Sequence, residues 1–412
     1  MRIVRGLLPI WDDDPLRRMT EDHPHGDGQS PEAGHPGGHP GSSAPGHDGG
    51  SPGTTDSGHP GGHLGTRNYD ERPLIVTWEV TQACELECDH CRAEAQPERD
   101  PAELSIEEGR AFIDSITDFG RPQPILVFSG GDPLERPDLF ELLDHAADRD
   151  VTTAVTPAPT DNLTEAVIGK LADAGVERIA LSLDGATPEA HDEFRGEEGS
   201  FARVEQAARQ AREAGMEIQI NTTVTANTVE YLPEIAAMVE AFDAAMWEVF
   251  FLVPIGRGEE LAQLDPGRTV DVMEWLYRRG RDAPYRVITV EAPHYRRVAD
   301  EFERRESSEG VRVGSTRAGK GFVFVSYEGE VYPSGFLPQR GGNVTDRSLV
   351  DIYRNADLFR RLRDTEQFVG SCSRCDYLDV CGGSRSRAHA VTGNPLASDP
   401  LCPWVERVDD AT

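Results

Sequence analysis

Between Leu74 and Val253 the apolar residues fall into two alternating rhythms: short β-branched or aromatic runs, and longer stretches with apolar positions three to four residues apart. The first rhythm predicts strands at Leu74–Glu79, Ile125–Phe128, Val151–Thr156, Ile179–Leu183, Glu217–Val224 and Trp247–Val253. The second predicts helices at Ser105–Phe119, Pro137–Asp148, Thr164–Ala174, Phe201–Ala214 and Thr228–Phe242. Strand-then-helix units repeated over about 210 residues imply a parallel sheet with right-handed crossovers, curled into a full or partial barrel. In such a fold the reactive groups sit at the strand C-terminal ends.

After roughly Pro284 the alternation is expected to stop. The segment Gly321–Phe336 alternates around Glu328-Gly329 and predicts a hairpin. At the other end, residues 20–68 are dominated by Gly, Pro, His, Ser and Asp, and GHPGGHPG at Gly34–Gly41 is echoed by GHPGGHLG at Gly58–Gly65. Such a tract has little to bury and reads as disordered. It holds seven of the twelve histidines, so it is either a solvated linker or a metal-handling segment. The expected organisation is a low-complexity N-terminal segment (1–71), a barrel (72–290) and a small C-terminal cysteine-rich domain (291–412).

Charge changes the picture next. With 73 acidic and 41 basic residues the net charge is −32, which argues against binding to nucleic acid or to an anionic membrane. Lys170 and Lys320 are the only lysines. An acidic, lysine-poor chain suits a salty cytosol, because at ~1 M salt the Debye length is about 3 Å and like charges are screened. A halophilic source and a cytoplasmic location follow as expectations. No run approaches the ~20 apolar residues of a membrane span, and cysteines in a reducing cytosol read as metal ligands or catalytic groups before disulfides.

Cys84, Cys88 and Cys91 form C-x3-C-x2-C just after the first expected strand. Three thiolates suit three irons of a [4Fe–4S] cluster and leave the fourth iron open. A zinc knuckle with His90 as fourth ligand is the alternative. In spacing and place the motif resembles that of the radical S-adenosylmethionine (SAM) superfamily, C-x3-C-x-φ-C on the loop after the first strand of a partial (β/α)6 barrel. His90 stands where φ is usually aromatic. The resemblance implies that the open iron chelates SAM, that reductive cleavage yields a 5′-deoxyadenosyl radical, and that a ferredoxin- or flavodoxin-like carrier donates electrons.

At the end of the second expected strand, Ser129-Gly130-Gly131-Asp132-Pro133 occupies the place of the family's GGEP segment. Glycines there allow close backbone approach to a ligand, and a carboxylate can hold an ammonium group. Asp132 is shorter than Glu by one methylene, so the amino contact is expected to pass through it or through backbone carbonyls. The fourth strand ends in Ser182-Leu183-Asp184-Gly185, followed by HDEFRG at His191–Gly196. By the resemblance Ser182 and Arg195 meet the SAM carboxylate or ribose. The plain alternative is a turn and a surface arginine. Asn221 is expected at the ribose, and Val253-Pro254 beside the adenine.

Near the C-terminus Cys372-x2-Cys375-x5-Cys381 is followed by Cys402. Four cysteines close one [4Fe–4S] cluster or a structural zinc site. The spacing resembles the SPASM domain of radical SAM maturases, with two departures. Arg385 stands at one cysteine position and Ser334 at another, in the hairpin. Both remove the same site, so the resemblance implies one auxiliary cluster, the "twitch" arrangement.

Arg340, Arg385 and Arg387 lie in the same region, and Glu291–Arg297 (EAPHYRR) follows the barrel. Guanidinium groups in so acidic a chain suggest an anionic substrate, or are simply its surface cations. The overall likeness is to the radical SAM proteins of heme biosynthesis, which decarboxylate or trim side chains of iron porphyrins. It implies hydrogen abstraction beside a substrate carboxylate, with His294 or Tyr295 as a proton or radical relay. A peptide maturase is the alternative within the superfamily, although such enzymes often carry an N-terminal winged-helix domain where this chain has its His/Gly/Pro tract. A non-enzymatic metal-binding protein is the alternative outside it.

Overall fold

The computed structural model describes residues 68–306 and 316–405. The histidine-rich tract lies outside them. The described residues all fall in one contact-dense unit.

Strand β1 (Ile75–Thr81) carries the logic of the fold in its pattern: Val76, Trp78 and Val80 are fully buried on one face, so Ile75, Thr77, Glu79 and Thr81 point to the other. The buried face packs on helices α1 (Ile106–Thr117) and α2 (Leu139–Asp148), where the Trp78 ring meets Phe112 edge-on at 5.1 Å. Gly109 is required at that crossing, because a Cβ would fall 2.9 Å from both Trp78 and Leu142. Helix α1 begins with a capping box in which the Ser105 and Glu108 side chains each accept the other's backbone N–H.

Strands β2 (Ile125–Gly130), β3 (Thr153–Val155), β4 (Arg178–Ser182), β5 (Glu217–Val224) and β6 (Met246–Phe251) follow in sequence order, each parallel to the one before. Between them come α3 (Glu165–Asp173), α4 (Pro188–Arg195), α5 (Ser200–Glu213) and α6 (Leu232–Ala241). This is the partial barrel that the alternation implied. The alternation does not stop at Pro284, however. Helix α7 (Pro266–Asp282) leads into β7 (Arg286–Val290), parallel to β6, and then into α8 (Tyr295–Glu306). The strand is short and only partly buried at the sheet edge, so its β-branched run lacks the flanking apolar contrast that marks the others.

The C-terminal residues extend the same sheet. Short β8 (Arg317–Ala318) pairs with β9 (Gly321–Val325), and β9 lies parallel to β1 with Thr77 opposite Phe324. The expected hairpin is β9 with β10 (Glu330–Tyr332), and β11 (Gly342–Asn343) adds to it, giving the order β11-β10-β9-β1-β2-β3-β4-β5-β6-β7. Helices α9 (Leu349–Asn355), α10 (Asp357–Arg363) and α11 (Arg385–Thr392) complete the described chain. No helix of the described residues is long and apolar enough to cross a membrane.

Candidate active site

The cysteine loop leaves β1 at its C-terminal end and is fixed by its own return segment, by the end of α4 and by the segment after β6. Cys84 donates its N–H to Gln96 O (2.8 Å), Asp89 to Phe194 O at the end of α4 (3.1 Å), and Cys91 to Cys88 O (3.2 Å). From beyond β6, Arg257 donates its backbone N–H to Cys91 O (3.1 Å) and its Nε to Cys88 O (2.8 Å). Gly256 sits at φ +54 because Cys91 O and Arg92 O approach the place of its Cβ to 2.7 Å. Arg257 carries no motif signal, and sequence reading missed it.

All three thiols are free, and Cys84 and Cys88 are buried. Burial pushes Cys84 to about 12, so its thiolate is stable only beside added positive charge. Among the described residues no three His, Cys, Asp or Glu side chains converge as a single metal ion requires. Three free thiols on one loop are the donor set that three irons of a [4Fe–4S] cluster take. His90 is not placed as a fourth ligand. Its ring stacks on Phe194 at 4.8 Å and 6°, and burial, reinforced by Arg195, lowers its pKa to about 4. A neutral, stacked imidazole does there what an aromatic residue does.

The glycines after β2 are set by the chain itself. A Cβ on Gly130 would lie 2.2 Å from Thr81 O, and one on Gly131 would lie 2.3 Å from Ala83 O. Asp132 is fully buried and its carboxylate faces inward: Oδ1 accepts from Leu134 N (3.1 Å) and Ala158 N (3.3 Å), and Oδ2 from Thr160 Oγ1 (3.0 Å). Burial outweighs these bonds and raises its pKa to about 6. The carboxylate therefore caps the Pro133–Glu135 turn and ties it to the segment after β3, its acceptor oxygens already engaged by the chain's own N–H and O–H groups.

Arg195 is neither a surface residue nor a free fork. Its Nη2 lies 2.5 Å from the fully buried Asp184 carboxylate, and its Nη1 donates to Cys88 Sγ at 3.6 Å. Burial alone would raise the Asp184 pKa, but Arg195 holds it below the usual carboxylate value. Asp184 also accepts from Thr223 N (2.6 Å), and Gly185 is needed where His191 N comes within 2.4 Å of its Cβ position.

Ser182 on β4 pairs in register with Asn221 on β5, and Asn221 with Glu248 on β6, so the three side chains share the concave face. Gln219 Nε2 donates to both Asn221 Oδ1 (2.8 Å) and Glu248 Oε2 (2.9 Å). Burial raises Glu248 to about 7. On the same face Arg92 pairs with Glu79 (2.8 Å) and lies 4.3 Å from the centre of the Phe324 ring. Glu248, Gln219, Arg92 and Glu79 were not singled out from sequence; their only signal is a polar residue inside a strand, and that does not say which face it occupies. Val253 is buried behind the end of β6.

The four C-terminal cysteines form a second thiol set. Gly383 N donates to Cys381 Sγ and Tyr377 N to Cys375 Sγ, both at 3.4 Å. Burial, with neighbouring thiols and Asp399 adding to it, raises Cys381 and Cys402 to about 12. Cys375 lines a surface recess of about 330 Å³ with Arg297, Arg374, Tyr377 and Trp404. Ser334 is tied to the residues flanking Arg385 through one carboxylate: Glu291 accepts from Ser334 (2.9 Å), Ser384 (2.5 Å) and Ser386 (2.8 Å). The two departures from the maturase pattern thus meet in one hydroxyl–carboxylate network.

The arginine expectation is corrected. Arg340 pairs with Glu330 (2.7 Å), while Arg385 and Arg387 are fully buried and turned inward. Arg385 donates to Pro395 O (2.9 Å) and Ala397 O (2.7 Å), and Arg387 to Phe251 O (3.0 Å), Glu291 O (2.8 Å) and Asp399 (3.3 Å). In a loop-rich segment the guanidinium fork satisfies backbone carbonyls that no helix or strand would satisfy. His294 is buried, 3.9 Å from Asp399, with neither ring nitrogen hydrogen-bonded; burial lowers its pKa to about 4. Tyr295, half-buried beside it, has its pKa raised by burial.

Three bodies of likeness bear on this arrangement. Residues 78–239 match the radical SAM superfamily model. The chain belongs to the radical SAM superfamily, whose enzymes use a [4Fe–4S] cluster and SAM. It is an enzyme of that class. Among its relatives are the AdoMet-dependent heme synthases of Methanosarcina barkeri, 37% identical over 80% of this chain and 96% of the relative, and of Oleidesulfovibrio alaskensis, 38% identical over 81% and 88%. The crystal structure of Streptococcus suis SuiB bound to S-adenosylmethionine shares the fold, with TM-score 0.63 and 19% identity over 81% of this chain and 78% of that one.

Proposed function

We propose that this chain is an AdoMet-dependent heme synthase that removes carboxyl carbon from a side chain of an iron porphyrin. What supports the reading is a likeness to such synthases over nearly their whole length, together with a concave sheet face carrying Ser182, Asn221 and Glu248, which Arg92 of the cysteine loop joins through Glu79. Cys84, Cys88 and Cys91 hold the SAM cluster, and Cys372, Cys375, Cys381 and Cys402 hold one auxiliary cluster. When bound, SAM on its cluster supplies the 5′-deoxyadenosyl radical, and the auxiliary cluster supplies a one-electron acceptor.

The chain's own residues prepare the site. The backbone at Gly130-Gly131 receives the SAM amino group, with Asp132 capping the Pro133–Glu135 turn that follows. Ser182 and Asn221 meet the SAM ribose or carboxylate, and Arg195 acts beside Cys88. Hydrogen is lost from the carbon next to the carboxylate-bearing carbon, and the bond to the carboxylate then breaks. Carbon dioxide leaves as a C=C bond forms between the two side-chain carbons, and the one electron left over goes to the one-electron acceptor. His294 and Tyr295, at the head of α8, are the proposed relay; unchanged turnover in His294→Ala would remove His294 from it. The organisation proposed is a barrel of 72–290 and an auxiliary domain of 291–412, in a cytoplasmic enzyme served by a ferredoxin- or flavodoxin-like carrier.

The test is 5′-deoxyadenosine formation by anaerobically reconstituted protein with SAM and a strong reductant in high salt, with and without an iron porphyrin. Formation that rises with the porphyrin, matched by released carbon dioxide, is the expected result. Formation that the porphyrin leaves unchanged overturns the substrate.

A further inference from the structure

Arg317, on β8, is 6% exposed, and none of its three guanidinium nitrogens has a hydrogen-bond partner. It is the one buried arginine among the described residues in that condition. A buried, unpaired cation costs several kcal/mol, so the fold needs an anion against this fork. Among the described residues no carboxylate is in ion-pair contact with it. What lies there is the auxiliary thiol set. A Cβ on Gly382 would sit 3.0 Å from Arg317 Nη1, which puts the fork against the residue next to Cys381. Phe368 is shared by two guanidinium groups, that of Arg317 at 5.5 Å and that of Arg385 at 4.5 Å from the ring centre, and Arg385 Nη2 reaches Cys372 Sγ at 4.0 Å.

The arrangement sorts the two arginines. Arg385 has backbone carbonyls for partners and touches the thiol set with one nitrogen. Arg317 has its whole fork free. A four-thiolate [4Fe–4S] cluster is anionic in both its oxidised and reduced states and carries the greater charge when reduced. Donors and positive charge beside its sulfurs therefore favour the reduced form. Burial and the neighbouring Arg385 lower the Arg317 pKa only to about 10, so the group is charged at neutral pH.

We propose that Arg317 donates hydrogen bonds to the sulfurs of the auxiliary cluster and holds its reduction potential up, making that cluster a better electron acceptor. The inference rests on the assignment of Cys372, Cys375, Cys381 and Cys402 to that cluster. It makes Arg317 a positioning and tuning residue that need not touch the substrate.

The experiment is an EPR-monitored redox titration of the reconstituted holoenzyme, comparing wild type with Arg317→Gln and Arg317→Lys, alongside iron and sulfide analysis. In Arg317→Gln the reduced-to-oxidised ratio of the auxiliary cluster at a fixed potential is expected to fall about tenfold, ~59 mV for one electron. The SAM-binding cluster of the same sample should not move, and Arg317→Lys should recover part of the shift. An unmoved auxiliary midpoint at full iron content overturns the proposal, as does an effect confined to KM for substrate. If the Gln variant loses the cluster, the Lys variant decides by the same criterion. Wild-type protein holding about four irons per chain instead of about eight would overturn the auxiliary-cluster assignment itself, a separate result from an unmoved midpoint.

Discussion

Arg195 stands between Cys88 and Asp184, 3.6 Å from the thiol through Nη1 and 2.5 Å from the carboxylate through Nη2. The pair holds one cation beside a cluster-ligand sulfur and gives its counter-charge a buried seat at the end of β4. Removing the guanidinium strands Asp184, which is fully buried. Arg195→Met should therefore destabilise the protein by about 3–5 kcal/mol, and the Arg195→Met/Asp184→Asn double variant by clearly less. Denaturant midpoints of the four proteins of the cycle check this; equal losses in single and double variants would refute the pairing.

Glu248 provides a pH signature. Its folded pKa, about 7, lies above the ordinary 4.5. Between those values the native state binds more protons than the unfolded chain, so stability falls as pH rises through the window. The loss is on the order of 3 kcal/mol. Melting temperatures between pH 5 and 8 should decline in wild type and flatten in Glu248→Gln.

Gly131 tests the turn after β2. In Gly131→Ala the new Cβ would lie 2.3 Å from Ala83 O and 2.6 Å from Gln82 O, so the segment leading to Cys84 must shift. The expected result is a stability loss of about 1–3 kcal/mol with reduced iron at the SAM site. Normal iron content and SAM affinity would show that the turn tolerates the displacement.

Each thiol set has its own deletion. Cys84→Ala should abolish 5′-deoxyadenosine formation while the auxiliary iron remains. Cys402→Ala should lower iron from about eight to about four per chain and leave SAM cleavage detectable. Iron analysis paired with product quantification separates the two.

Salt addresses the charge of −32. With the Debye length near 3 Å at ~1 M, mutual repulsion of surface carboxylates is largely screened. The melting temperature should rise steadily as KCl is added, and a flat response would remove the halophilic reading.

Most of the barrel was legible from residue order, because a parallel strand buried on one face and a helix packed against it leave distinct periods. The chemistry at Cys84, Cys88 and Cys91 was legible for another reason: ligands that serve one cluster from one loop must keep a fixed spacing. β7 escaped because an edge strand gives up half its burial and with it half its pattern. Arg385 and Arg387 misled because an arginine's place in the chain does not say whether its fork meets a ligand or the backbone.

Sequence by itself therefore determined the local matters: the succession of strands and helices, the glycines before Asp132, the two thiol sets and the acidic surface. Tertiary structure alone decided what depends on strands meeting: that Asp132 braces a turn, that Arg195 joins Asp184 to Cys88, that Ser182, Asn221 and Glu248 share a face, and that Arg317 lies unpartnered beside Cys381. A side chain's hydrogen-bond partners and burial are set by residues far along the chain, and spacing within one segment carries no record of them.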